Sequence, residues 1–222
     1  MVGVNEKTAA RTRVADAVYE RLREMIFAGE LSPGARLSVP ALAESLDVSR
    51  SPVRDAVLRL VQERLASEEP RRGAIVASVG LAELVSIYEI REVLEGLAAR
   101  LAVENAGRKL VRALKEALDE HEAATRTADL AASTEADLRF HRLIREAAGN
   151  PEVIRLLDDV QTQVRLAMRT TTVTAGPRQA IDDHRAILTA IESGDAVAAE
   201  QAARAHIFRL RSVLLRQLEG GE

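Results

Sequence analysis

The chain contains no cysteine and no tryptophan, and aromatic residues make up only 2% of it. Without cysteine it can form neither disulfides nor thiolate metal sites, which fits a reducing compartment. Without aromatic platforms, base-by-base stacking on single-stranded nucleic acid is excluded as a main mode of binding. No apolar run approaches the length of a membrane span, and the N-terminus lacks a signal-peptide pattern, so a soluble cytoplasmic protein is expected. A surplus of positive charge is also missing: the net charge of the 222 residues is −3. Residues 1–78 hold 12 Lys+Arg against 11 Asp+Glu, which leaves 19 against 23 for residues 79–222. Any affinity for nucleic acid must then come from a local patch, doubled if the chain dimerises, with the acidic remainder facing away.

Such a patch is present between Leu42 and Gly73. The stretch reads as a short helix, a tight turn at Asp47-Val48, a second helix rich in arginine at its start, and a hairpin. Ser49 is the expected N-cap of the second helix, its hydroxyl accepting from free amides of the first turn, and Pro52 lies in that turn. Arg50 and Arg54 are four residues apart and project from one face, flanked by the Ser49 and Ser51 hydroxyls. Val53, Val57, Leu60 and Val61 form the opposite, docking face. Two arginines at helical spacing also occur on ordinary solvated helices, but the sequence that follows separates the two readings. Ala66–Glu69, a basic Pro70-Arg71-Arg72-Gly73 turn and the β-branched run from Ala74 form a hairpin whose tip is basic. A basic tip beside a basic helix N-terminus is not explained by core packing, and it suits a helix entering the major groove. There Arg pairs bidentately with guanine, while hydroxyls and amides hold phosphate.

Upstream, residues 1–13 are polar and read as a disordered arm. From Val14 the spacing Val14, Val18, Leu22, Met25/Ile26 is helical and stops at Gly29, where Gly29 to Gly34 carries turn chemistry. A helix over 39–46 precedes the arginine-bearing one. Three helices and a hairpin over 14–78 make a winged helix-turn-helix. The ordered residues Gly29, Leu31, Pro33-Gly34, Leu37, Leu42-Ala43, Val48-Ser49-Arg50-Ser51-Pro52-Val53-Arg54-Asp55-Ala56, Gly73 and Val76 resemble the DNA-binding domain of the GntR family of bacterial transcription regulators. That resemblance implies operator recognition by Ser49, Arg50, Ser51, Arg54, Arg71, Arg72 and Gly73. One position departs from the family pattern: Glu63-Arg64-Leu65 stands where a Glu-Gly-Leu is usual. A glycine at 64 would suit a left-handed helix cap, so the helix end and the entry angle of the wing are for the structure to decide.

Residues 79–222 show only helical periodicity, over roughly 81–105, 108–124, 128–147, 151–170, 177–193 and 195–217. The breaks include Gly107, Gly149-Asn150-Pro151, Ala175-Gly176-Pro177 and Gly194-Asp195. The expected fold is mainly α: a winged helix-turn-helix followed by an antiparallel bundle of six or seven helices, with a short boundary near 78–80 that couples the two.

All four histidines lie in this second region, and three replace apolar residues on helical stripes. His184 follows Ile181 and precedes Leu188; His206 precedes Leu210; His141 follows Leu138, with Asp137 one turn before it. A lone histidine on such a stripe is usually a hydrogen-bonded core residue. Three on three helices need a common partner, because buried imidazoles without one are costly. Asp137, His141, His184 and His206 together suit Zn²⁺ or Ni²⁺, and also Mn²⁺ or Fe²⁺. Their spacing, with Gly149-Asn150-Pro151 as a further landmark, resembles the FCD effector domain of the FadR branch of the same family, closer to its smaller VanR-like form. The resemblance implies that these four residues ligate a metal in the bundle cavity. His121, among Asp119, Glu120 and Glu122, matches no part of that motif and reads as a surface residue.

Arg91 interrupts the apolar stripe Leu84, Ile87/Tyr88, Leu94, Ala98. It has two readings: an i,i+4 pair with Glu95, or a cavity cation that binds a carboxylate also reaching the metal. Arg139 and Arg165 are weaker candidates for the second role. The family's effectors are often small organic acids, which implies a homodimeric, metal-containing, ligand-responsive regulator, most often a repressor, and not an enzyme. Two rivals remain: a constitutive DNA-binding protein with a structural metal, and a metalloenzyme with Glu135 as base.

Overall fold

The computed structural model describes residues 3–105, 107–167 and 177–219, which fall into two units. The first contains residues 1–80 together with the segment that starts at Thr162. Its elements are α1 (Gly3–Ala28), α2 (Val39–Ser45), α3 (Arg50–Gln62), β1 (Ala66–Glu69) and β2 (Gly73–Val76). Val18, Leu22 and Ile26 of α1 are buried at helical spacing, as are Val53, Ala56, Val57 and Leu60 of α3, and the two helices pack on each other. Asp47 makes the turn between α2 and α3 with φ 52, a left-handed conformation that Asp tolerates. The hairpin pairs Ala66 with Val76 and Glu69 with Gly73 in antiparallel register. A third segment escaped the sequence reading: the Leu37 amide donates to the Ala74 carbonyl at 2.8 Å and Val76 donates to Ala35 at 2.9 Å.

Two expectations are corrected here. The expected disordered arm is helical from Gly3, as part of α1; the run Lys7-Thr8-Ala9-Ala10-Arg11 holds good helix formers and no breaker. Ser49 is the N-cap of α3, but its side chain makes no cap hydrogen bond, so the hydroxyl is available to an outside acceptor.

Position 64 keeps the conformation the family pattern calls for despite the missing glycine. Arg64 has φ 57, its amide donates to Val61 O at 3.1 Å, and the Leu65 amide donates to Leu60 O at 2.8 Å. Those two bonds are a Schellman closure, and Leu60 and Leu65, the two positions whose apolar side chains accompany that motif, are both fully buried. The end of α3 is also held from a distant part of the chain. Gln163, 8% exposed, donates from Nε2 to Glu63 O at 3.2 Å and Arg64 O at 3.4 Å. Glu63 in turn receives the Tyr19 hydroxyl and the Arg59 guanidinium.

The second unit contains α4 (Leu81–Asn105), α5 (Arg108–Arg126), α6 (Leu130–Ala147), α7 (Pro151–Ala167) up to residue 161, α8 (Pro177–Ser193) and α9 (Ala196–Glu219). Six helices match the expected bundle, and their bounds lie within about two residues of expectation wherever both ends are described. The expected extension of α7 to residue 170 and the break at Ala175-Gly176 lie outside the described residues. Helix ends follow local chemistry. Gly149 takes φ 64, Asn150 Oδ1 accepts from the amides of Glu152 and Val153, and Pro151 opens α7. Asp129 and Asp195 cap α6 and α9 in the same way. α4 lies along α9, α5 against α6 and α8, and α8 against α9, burying Leu114, Phe140, Ile144, Leu157 and Ile187 in the shared core.

Candidate nucleic-acid interface and metal centre

The residues assigned to DNA sit on the exposed side of α3 and at the hairpin tip. Ser49, Arg50, Ser51, Arg54, Arg71, Arg72 and Gly73 are all exposed, whereas the facing positions Val53, Val57 and Leu60 are buried. Among the described residues Arg50, Arg54 and Arg71 have no ion-pair partner, which distinguishes them from Arg59, engaged by Glu63 and Asp16. Arg72 is bound to Glu69 at 2.8 Å, which steadies the tip. Arg71 with φ 68 and Gly73 with φ 75 make the tight turn. Unpaired guanidiniums held on a rigid helix and a short turn are suited to anionic phosphate and guanine edges.

In the bundle, His141 from α6, His184 from α8 and His206 from α9 each present a ring nitrogen within 4.8 Å of the others. All three are buried: His184 and His206 are at most 1% exposed and His141 is 4% exposed. Carboxylates behind two of the rings set the direction of the lone pairs. Glu95 Oε2 lies 3.3 Å from His141 Nδ1, and Asp183 Oδ2 lies 3.0 Å from His206 Nδ1. With Nδ1 donating to a carboxylate, Nε2 of each ring carries the lone pair. His206 Nε2 is buried with no hydrogen-bond partner, and His141 Nε2 stands 3.3 Å from His184 Nε2. The His184 ring is positioned by Phe140, which stacks on it at 4.3 Å.

The protonation states agree with this arrangement. Burial, followed by the neighbouring rings of His141, His206 and His121, pushes His184 well below the ordinary histidine value. Burial also lowers His206, against the pull of Asp183. Burial on its own would raise Glu95, but His141 and Arg91 outweigh it and hold the carboxyl far below the usual range. Asp183 is lowered in the same sense by His206, Arg209 and Gln179. Imidazole nitrogens backed by ionised carboxylates form the donor set a borderline divalent cation takes, and the orphaned buried Nε2 of His206 is otherwise unexplained.

The remaining residues are distributed as follows. Asp137 is a third exposed, with Oδ1 3.5 Å from His184 Nε2; it groups with His184 and His121 and not with His141, its i+4 neighbour. His121 is corrected: it is 3% exposed, not a surface residue, and its Nδ1 has no partner. Its position on the stripe Leu114, Ala117/Leu118, His121 pointed inward, but the acidic neighbours on the other faces obscured this. Arg91 and Glu95 make the expected pair, Nε to Oε1 at 3.2 Å, both buried. The guanidinium also feels Tyr88 and Asp137, so it lies beside the donor set. The two weaker candidates are engaged by other residues. Arg139 is bound by Glu120 and Glu116, where the charged outer face of α5 meets it. Arg165, near the end of α7, belongs to the first unit, with its guanidinium 4.4 Å over the Phe27 ring. Asp183 is the residue that sequence reasoning missed: it directly precedes His184 in the chain, and its side chain anchors His206.

A winged helix-turn-helix bearing unpaired arginines, carried in one chain with a helical bundle that buries a histidine cluster, defines a DNA-binding regulator with a sensor domain. Comparison with known proteins agrees on both halves. The profile of the bacterial regulatory proteins of the gntR family matches residues 14–76, and that of the FCD domain matches residues 86–209. The chain is 30% identical over 209 residues, 92% of each protein, to the uncharacterized HTH-type transcriptional regulator YdhC of Bacillus subtilis. It is 32% identical over 204 residues, 90% of this chain and 88% of the other, to the probable D-xylose utilization operon transcriptional repressor of Paenarthrobacter nicotinovorans. Among solved structures, McbR/YncC of E. coli superposes with a TM-score of 0.76 at 26% identity, covering 92% of this chain and 98% of that one. The chain belongs to the GntR family of transcription regulators, with an FCD effector domain. FCD domains are associated with metal binding, GntR regulators bind operator DNA, and among the described residues no helix is long and apolar enough to cross a membrane.

Proposed function

We propose that this chain is a homodimeric cytoplasmic repressor, released from its operator by a small organic acid bound beside a divalent metal in the bundle. The observation that carries the reading is the convergence of buried His141, His184 and His206 nitrogens, two of them oriented by Glu95 and Asp183. These residues, with Asp137 at the solvent-reaching side, would hold the ion, Zn²⁺ or Ni²⁺ ahead of Mn²⁺ or Fe²⁺. A bound ion would supply a Lewis-acidic position for an anionic ligand. Arg91 would supply the second hold on that ligand: a fixed guanidinium beside Asp137 favours hydroxy acids, dicarboxylates and sugar acids. The buried Arg91–Glu95–His141 chain of contacts would convey a change at the acid to α4 and α6 alike.

Dimerisation is supported by α4, which leaves Ile90, Val93 and Leu97 exposed in one stripe, the first two more than half exposed. Two copies would present two α3 helices to the half-sites of a palindrome. The direction of control follows the relative described as a repressor.

Operator binding by metal-loaded protein, titrated with a panel of small carboxylic acids, tests the reading. One acid or more should weaken operator affinity about 5–150-fold, the range of ordinary allosteric coupling, and Arg91→Gln should abolish the response. If no acid moves either operator affinity or melting temperature, the metal is structural and the protein constitutive.

A further inference from the structure

His121 is not used by the metal set proposed above, yet it lies against two members of that set, Asp137 and His184. It comes from α5, which contributes no residue to that set. It is 3% exposed, and its Nδ1 is buried without a hydrogen-bond partner. Its ring centroid lies 5.4 Å from that of His184. An unpartnered buried imidazole nitrogen is a cost to folding unless something outside the polypeptide satisfies it.

Two overlapping groups of donors are present: His141, His184 and His206, and His121, Asp137 and His184, each with ligand atoms within 4.8 Å of one another. His184 is common to both. Its Nε2 lies 3.3 Å from His141 Nε2 and 3.5 Å from Asp137 Oδ1, one atom from each group. A ring nitrogen has one lone pair and serves one ion, so the two groups surround a single cation position, not two.

We propose that His121 is a fifth protein ligand of that one divalent cation, joining Asp137, His141, His184 and His206. The inference rests on the metal reading of the preceding section. It changes the chemistry of the site. Four donors satisfy tetrahedral Zn²⁺, but a fifth exceeds its usual number and suits ions that prefer six ligands, such as Ni²⁺ or Co²⁺, with the sixth position open to an effector oxygen. Asp137 and His121 then act together. Asp137 is the donor in partial contact with solvent, and His121 is grouped with it and with His184.

The test uses full-length protein stripped with chelator and reloaded with Co²⁺, Ni²⁺ or Zn²⁺ alone, comparing wild type with His121→Leu and His121→Gln. Leucine removes the unpartnered nitrogen at similar volume, so the metal-free variant should melt no lower than wild type, and glutamine serves if leucine does not fold. Wild type should bind one ion per chain. Both variants should lose about tenfold or more in Ni²⁺ and Co²⁺ affinity, lose less for Zn²⁺, and show stronger visible Co²⁺ bands as the coordination number falls. Unchanged affinities and an unchanged Co²⁺ spectrum overturn the role of His121 while leaving the metal reading intact. Two ions per chain overturn the single-position argument. Wild type that takes up no metal overturns both readings together.

Discussion

Asp183 and His206 meet at 3.0 Å, Oδ2 to Nδ1, across α8 and α9, and Asp183 immediately precedes His184 in the chain. One short stretch of α8 thus supplies a donor and also orients a donor on another helix. Arg209 and Gln179 hold the same carboxylate, so with His206 its position is fixed by three groups on two helices.

Asp183→Asn tests this arrangement. The amide keeps the shape but loses the charge that fixes the His206 tautomer. Divalent-metal affinity should fall about 10–100-fold, as read by competition with a chromogenic chelator, while helix content stays the same. Unchanged affinity would show that His206 is oriented by packing alone.

Acid should destabilise the metal-free protein in two stages. His184 and His206 are depressed in the fold, so below about pH 6.5 the unfolded chain takes up protons that the native state does not, and stability falls. Glu95 and Asp183 are also depressed; their contribution is present at neutral pH and is lost further down, as pH drops through the ordinary carboxylate range and below. Melting temperature in chelator should decline from pH 7.5 to 5, and His184→Leu should flatten that first decline. A flat profile between those values would contradict the neutral, buried state of the rings.

Arg64→Gly should stabilise the head. Arginine at φ 57 occupies a conformation that disfavours any residue with a Cβ by about 1 kcal/mol, and Arg64 is exposed. A gain of about 1 kcal/mol in urea unfolding is expected, reduced to the extent that glycine loosens the unfolded chain. A loss would mean that the arginine makes a compensating contact.

Arg54→Ala should weaken operator binding by about 1–3 kcal/mol if the guanidinium reads a base, without changing oligomeric state. A uniform weakening across all sequences, with a shallower salt dependence, would assign Arg54 to phosphate instead.

Val93→Glu places a charge in the exposed α4 stripe. Light scattering should show a shift from dimer toward monomer, accompanied by weaker operator binding. A variant that stays fully dimeric would remove this face from consideration.

The fold was legible because its signals are local. Glycines at turns, caps such as Asn150 and Asp195, and stripes such as Val18, Leu22 and Ile26 specify elements without knowledge of the rest of the chain. The segment 34–37 escaped because its partner, β2, lies some forty residues away and the segment itself has no alternation. The same distinction holds in the bundle. His141, His184 and His206 stood out because each replaces an apolar residue on its own helix. Glu95 and Asp183 orient two of them from other helices, a relationship that periodicity does not carry. His121 was misread for a different reason: charged residues on either side are compatible with burial when they lie on other faces of the helix.

Gln163 bonds to the main-chain carbonyls of Glu63 and Arg64, not to their side chains. Substitution at 63 or 64 therefore leaves its acceptors in place as long as the left-handed turn persists, whereas no residue without a terminal donor can replace Gln163 itself. Sequence drift is thus free on one side of this contact and constrained on the other. Laboratory selection for altered operator preference can explore the end of α3 widely, and should return few changes at position 163.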